Sequence, residues 1–201
     1  RWWDVTIDGV ANHGGTTPMD RRFDSLVSAS ELVLAVNSVA LDLPGRQVAT
    51  VGRIQAYPGA PNVVPGRTVM SLEIRDLDAE KMQFVFEQIE MAAEEIAGRR
   101  GTPIRFEEID TASPPAPTDE TMRDVIAGAA EYLGYSFRRM PSGAGHDAQD
   151  LAKITPTGMI FVPSRDGISH SPEEYTAPED MARGASVLFH TIMDIDQRPG
   201  R

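Results

Sequence analysis

The order in which two hydrophobic periods alternate along residues 1–111 constrains this chain more than any other feature. Trp3, Val5 and Ile7 alternate with Asp4, Thr6 and Asp8, the period-two pattern of a half-buried strand that Gly9 ends. After a polar loop, Thr17-Pro18 fits an N-cap followed by proline at the first helical position. Phe23, Leu26, Val27, Val33 and Leu34 recur at helical spacing, with Ser30 small enough to be tolerated among them, which predicts a helix to about residue 40. Residues 48–57 read as a strand, and Pro58, Gly59, Pro61, Pro65 and Gly66 then make a stiff, turn-rich loop. Over residues 68–76, Met70, Leu72 and Ile74 share one face of a strand, and Ser71, Glu73 and Arg75 share the other. Asp78 caps a second helix with the stripe Met82, Val85, Phe86, Ile89, Ala93 and Ile96, and Gly98 suits its C-terminus. Ile104 and Phe106 mark a final strand. The order βαββαβ is that of a ferredoxin-like α+β unit, an antiparallel sheet with two helices on one face.

Ser113-Pro114-Pro115-Ala116-Pro117 is a stiff connector, and the domain boundary is expected there, between 1–111 and 112–201. Beyond it the pattern predicts a helix over about 119–133 ended by Gly134, a short strand near Phe137, and a buried strand over 159–162. A last helix carries a capping box, Thr176 with Glu179, and the stripe Met181, Ala185, Leu188 and Ile192. Two short strands are too few to close an α/β core, so this part needs more sheet to pack against.

Composition narrows the function classes. The formal net charge of -11 argues against nucleic acid or an anionic membrane surface as partner. The absence of cysteine excludes disulfides and thiolate metal sites. No apolar run approaches the roughly 18 residues needed to span a bilayer, and no signal peptide is visible, so a cytoplasmic location is the default expectation. The chain runs from Arg1 straight into a strand-like segment, which suggests a sequence cut from something longer.

Three of the four histidines, His13, His146 and His170, sit in loops rich in Gly, Pro or Ser, where binding groups concentrate, whereas His190 lies in the last helix and reads as structural or surface. His146, Asp147 and His170, with Glu173 or Glu174, have the residue types of a zinc site, which takes about three protein ligands and an open position. No H-x-D or H-E-x-x-H pair supports it. A G-x-S-x-G elbow and a P-loop are both missing. The glycines flanking Ala144, Gly143 and Gly145, allow backbone N–H groups to approach a ligand or a helix N-terminus. Arg75 has two readings, an ion pair with Glu73 or another carboxylate, and a bidentate clamp on a substrate carboxylate. Asn62, between Pro61 and Val63 in the rigid loop, is either turn chemistry or an amide donor to a developing oxyanion.

Four segments together resemble a known family. They are Gly9-Val10-Ala11-Asn12-His13-Gly14-Gly15-Thr16-Thr17-Pro18-Met19 with Arg22 and Asp24 following, Gly59-Ala60-Pro61-Asn62-Val63-Val64-Pro65-Gly66, Ser142-Gly143-Ala144-Gly145-His146-Asp147-Ala148, and Asp166-Gly167-Ile168-Ser169-His170-Ser171-Pro172-Glu173-Glu174. In this order they resemble the dizinc amidohydrolases that include N-carbamoyl-L-amino acid hydrolases, metal-dependent ureidopropionases and allantoate amidohydrolases. The resemblance implies that residues 1–111 are an inserted ferredoxin-like lid that also forms a homodimer, and that 112–201 are the C-terminal part of an α/β metallohydrolase catalytic domain. It implies two Zn2+ (or Mn2+) ions per intact subunit, with His170 as a metal ligand. It implies that His13 and Asn62 act on the scissile group, that Arg75 holds the substrate carboxylate, and that His146 and Gly145 line the substrate.

The resemblance places the family's other metal ligands in upstream segments, an H-x-D pair, a Glu-Glu pair and an H-I-E-Q-G segment, and it places the general-base Glu outside this sequence too; none of those segments is among these 201 residues. The expectation is therefore part of a metal-dependent amidohydrolase acting on a small carboxylate-bearing substrate, inactive as this chain alone. The alternative is a non-catalytic dimerisation or binding module.

Overall fold

The computed structural model describes residues 1–109 and 115–197, which divide into two compact units, Arg1–Pro115 and Ala116–Arg201. Residues 111 and 112 at the expected boundary, and Ser113 and Pro114 of the connector, lie outside the described residues.

In the first unit a five-stranded antiparallel sheet is built around β1 (Trp2–Asp8) and β6 (Arg67–Arg75). These two strands run in continuous register from Trp2↔Glu73 to Asp8↔Arg67. β7 (Ile104–Ile109) pairs the other edge of β1, and β6 is flanked by β3 (Val48–Thr50) and β4 (Ile54–Tyr57). The strand expected over residues 48–57 is thus two pieces, interrupted at residues 51–53, where the Arg53 N–H turns to the Ser71 hydroxyl. The alternation in β1 and β6 does what the sequence predicts. Trp3, Val5, Ile7, Met70, Leu72 and Ile74 are all buried, on the face that α1 (Ser25–Asp42) and α2 (Ala79–Arg100) cover. Burying each large side chain contributes roughly 1.5–3 kcal/mol, which makes this shared face the main source of cohesion.

Asp78 caps α2 as expected, accepting from Glu80 N–H and Lys81 N–H. Its end is not at Gly98 but one turn later, at Gly101, whose φ of 67° provides the left-handed cap.

α1 departs further from expectation. It starts at Ser25 under an Asp24 cap, while Pro18 only introduces a 3-10 turn, Met19–Arg21. Its buried residues are Ser25, Ser28, Ala29, Leu32 and Val36, whereas Leu26, Val27 and Leu34 are exposed. The cause is hydroxyl pairing. Ser25 Oγ lies 2.9 Å from Thr68 Oγ1 of β6 and Ser28 Oγ 2.7 Å from Thr102 Oγ1 in the turn between α2 and β7, so the small polar side of the helix finds its partners in the interior. α1 is also long and apolar enough, by length and composition, to cross a membrane, with a mean hydropathy of 1.3, which corrects the expectation that no run comes near that length. Its inner face is core, and Glu31, half-buried beside that face, is tied to Arg99 and Arg100 of α2. Those guanidiniums, Arg100 first, hold the Glu31 carboxyl below the usual carboxylate range.

In the second unit α3 (Glu120–Tyr132), capped by Asp119, packs on α5 (Pro178–Asp196) around Ala129, Ala130 and Val187. α4 (Ala148–Leu151) is a single turn. Neither Phe137 nor residues 159–162 form a strand, and among the described residues of this unit there is no strand for them to pair with. α5 has Ala177, not Thr176, at its N-cap, with no side-chain cap hydrogen bond, so the capping box is not made. Met181, Leu188 and Ile192 of the expected stripe are exposed; Val187 and Thr191 face inward instead.

The assignment of the α1 faces is testable by urea denaturation. Leu32→Ala should destabilise by about 2–5 kcal/mol, as for other core truncations, whereas Leu41→Ala, on the exposed side, should stay within about 0.5 kcal/mol. Equal effects would refute the assignment.

Candidate active-site elements

The ladder of β1 and β6 continues past the end of the sheet. Gly9 N–H donates to Gly66 O at 2.8 Å, and β2 (Asn12–His13) then pairs with β5 (Val63–Val64), placing His13 opposite Val63. His13 and Asn62, 49 positions apart in the chain, are thereby brought to neighbouring places. Gly14 N–H donates to Asn62 O at 2.7 Å, and a Cβ at position 14 would lie 2.8 Å from that same oxygen, so only glycine permits the approach.

The loop that follows is closed by its own side chains. Thr17 donates to His13 O through both its N–H, at 3.1 Å, and its hydroxyl, at 2.8 Å. Arg22, half-buried, donates through Nη2 to Gly14 O at 2.6 Å and through Nε to Thr17 O at 3.0 Å. Gly15 N–H donates to His13 Nδ1 at 3.0 Å. A ring nitrogen that accepts carries no proton, so the neutral ring holds its proton on Nε2 and His13 presents an N–H donor at an exposed position. Arg22 entered the sequence reading only as part of a motif. Its pairing with two main-chain carbonyls has no signature in residue type or spacing.

Arg75 does not join this pair. It stands at the far end of β6, whose nine residues at about 3.3 Å each put roughly 26 Å between Arg67 and Arg75. There Arg75 Nε donates to Glu73 Oε1 at 2.8 Å and Nη2 lies 2.5 Å from the same atom, so the ion-pair reading of this side chain is realised.

In the second unit the loop before α4 folds on itself. His146 N–H donates to Gln149 Oε1 at 3.2 Å, and Ala148 N–H donates to His146 Nδ1 at 3.0 Å. His146, like His13, is thus an exposed Nε2–H donor. Gly145 has ordinary space, 3.7 Å from a built Cβ to Gln149 Oε1, so no steric demand explains the glycine. His170 is exposed, with φ at 57°, uncommon for a residue with a Cβ. Its N–H donates to Glu174 Oε2 at 2.9 Å, and among the described residues no hydrogen bond reaches its ring. His190 sits half-buried in α5 beside the Tyr132 ring, 5.3 Å between centroids, a packing role as expected.

The metal expectation fares differently. Among the described residues no group of three or more His, Asp or Glu side chains is placed to hold a metal ion. His146, Asp147 and His170 with Glu173 or Glu174 do not converge as such a group. At His146 the hydrogen bond to Nδ1 acts against ligation as well, since a neutral ring that accepts at Nδ1 and is protonated on Nε2 has no lone pair to offer from its exposed side. The described residues therefore do not make up a two-ion zinc or manganese site by themselves.

Comparison with known proteins agrees with the resemblance noted in the sequence. The N-carbamoyl-L-amino acid amidohydrolase of Geobacillus stearothermophilus is 40% identical over 196 residues, 98% of this chain and 47% of that protein. The allantoate amidohydrolase of Bacillus subtilis is 35% identical over 184 residues, 92% of this chain and 44% of that protein. A crystal structure of an amidase of the hydantoinase/carbamoylase family from Burkholderia vietnamiensis superposes with a TM-score of 0.93 at 37% identity, covering 100% of this chain and 48% of that one. The chain spans about half the length of the curated relatives it matches. The pattern of peptidase family M20/M25/M40 matches residues 12–194, and the chain belongs to that family.

Proposed function

We propose that this chain is part of an amidohydrolase that cleaves a linear amide or N-carbamoyl C–N bond in a small, carboxylate-bearing, amino-acid-like substrate. The observation that carries the proposal is the juxtaposition of His13 and Asn62, joined through the Gly14 N–H to Asn62 O hydrogen bond of 2.7 Å. An Nε2–H and a neutral amide carried on adjoining stretches of main chain are the donor types that suit the carbonyl oxygen of an acyl group, which gains negative charge as a nucleophile adds. The relatives' names supply the substrate class. In this reading Arg75 exchanges Glu73 for the substrate carboxylate, His146 and Gly145 line the substrate, and His170 is a single metal ligand. The nucleophilic water, its base and the remaining zinc or manganese ligands are not supplied by these residues, so the chain alone is proposed to be inactive.

The separation within β6 adds a constraint. A small substrate cannot span roughly 26 Å, so His13 and Asn62 serve the same substrate as Arg75 only if two copies of the chain contribute. This fits a homodimer built through the first unit, whose strand order β3-β6-β1-β7 with two helices on one face supports the ferredoxin-like lid reading. Val27, Leu34 and Leu41, exposed one heptad apart on α1, offer an apolar stripe for such a contact.

Mixing tests the two-copy arrangement. In the complete protein, His13→Ala should lose activity and Arg75→Ala should be nearly silent at substrate concentrations well below its raised KM, and co-refolding the two should restore activity at that low substrate concentration, because the mixed dimer regains one site with both residues. If each copy supplied its whole site, mixing would restore nothing.

Steady-state kinetics of the complete protein separate the roles. Arg75→Lys should mainly raise KM, because the carboxylate is equally charged in ground and transition states and an ammonium cannot make paired contacts. Asn62→Ala should lower kcat by roughly 10²-fold, as for other oxyanion donors. An unchanged kcat would reduce Asn62 to a turn residue. Purified chain of this length, given zinc or manganese, should hydrolyse neither N-carbamoyl amino acids nor allantoate.

A further inference from the structure

We infer that Arg22 is a positioning residue that sets the orientation and tautomer of the His13 ring through a single peptide group; the inference rests on the reading of His13 as an acyl-oxygen donor. The peptide in question joins Gly14 to Gly15. Its oxygen accepts from Arg22 Nη2 at 2.6 Å, and its N–H donates to His13 Nδ1 at 3.0 Å. A trans peptide is planar, with its C=O and N–H pointing in opposite directions. Fixing the oxygen therefore aims the N–H, and the guanidinium, by polarising the carbonyl, strengthens the donation at the other end.

The surrounding sequence explains why a clamp is needed here. Two consecutive glycines flank this peptide, the most permissive setting for a peptide flip. A flip would turn the carbonyl oxygen toward His13 Nδ1, where only a protonated Nδ1 can be accommodated, and the exposed Nε2 would then be a lone pair instead of a donor. Arg22 opposes this with two contacts, since Nε holds Thr17 O at 3.0 Å while Thr17 holds His13 O through its hydroxyl at 2.8 Å. Both hydrogen bonds of Arg22 go to main-chain carbonyls, and no carboxylate pairs with it among the described residues. Its charge is spent on loop geometry. The guanidinium of Arg21, the preceding residue and exposed, makes no hydrogen bond or ion pair among the described residues.

The test reads the His13 ring directly, in this chain, by long-range 1H–15N correlation of histidine ring nitrogens at about pH 8, above the usual imidazole range. The unsubstituted chain should show one neutral tautomer at His13, protonated on Nε2. Arg22→Gln should move the ring nitrogens toward a mixture of tautomers and speed hydrogen exchange of the Gly15 amide about tenfold, the loss of roughly one hydrogen bond. Arg21→Gln should change neither. Arg22→Lys, whose ammonium reaches one carbonyl but lacks the fork, should move both readouts in the same direction and serves if Arg22→Gln does not fold. A lower melting temperature with His13 and Gly15 unaltered would make Arg22 a structural residue and overturn the inference, as would no change at all. The complete protein separates this from the function proposed above. If Arg22→Gln scrambles the ring while His13→Ala retains full kcat, the positioning stands and the role of His13 in the reaction falls.

Discussion

The antiparallel contact between β1 and β6 is the constraint on which the rest of the first unit depends. Its register from Trp2↔Glu73 to Asp8↔Arg67 aligns the inward residues of both strands, and those residues are the floor on which α1 and α2 pack. The same ladder, prolonged by β2 and β5, delivers His13 to Asn62 at one end. At the other end it leaves Arg75 beside Glu73. One pairing thus determines the core, joins two candidate residues and separates a third from them.

What was legible in the sequence follows from the range of the forces involved. The alternation of Trp3, Val5 and Ile7 and of Met70, Leu72 and Ile74 reports burial residue by residue, and the Asp78 cap acts over three positions, so both read correctly. The inward face of α1 did not, because its determinants lie in the partners. Ser25 and Ser28 are core residues only because Thr68 and Thr102, 43 and 74 positions away, meet their hydroxyls. The short strands expected near Phe137 and over residues 159–162 failed for a related reason, since a strand exists only with a neighbour. At the site, residue types marked the candidates, but neither the approach of the His13-Gly14 main chain to Asn62 nor the distance to Arg75 is written in any local pattern. The convergence of His146, Asp147 and His170 was chemically reasonable and is not formed.

The two units differ in how fully they resolve their own apolar surface. In the first, the large side chains of β1, β6 and α2 close on one another. In the second, Phe189, Leu188 and Ile192 on α5 and Tyr132 on α3 remain exposed around a nucleus of alanines and Val187. The second unit is an amphipathic pair of helices with more apolar surface than it covers.

The glycine at position 14 has a consequence for how this site is able to change over generations. The obstacle at 2.8 Å is the main-chain oxygen of Asn62, which every amino acid at position 62 would present equally. No compensating change at the opposite position relieves it. Mutations that rework the chemistry at 13 or 62 are therefore accessible one at a time, whereas any departure from glycine at 14 demands that two loops part. Drift around this site should run along the side chains and stop at the backbone.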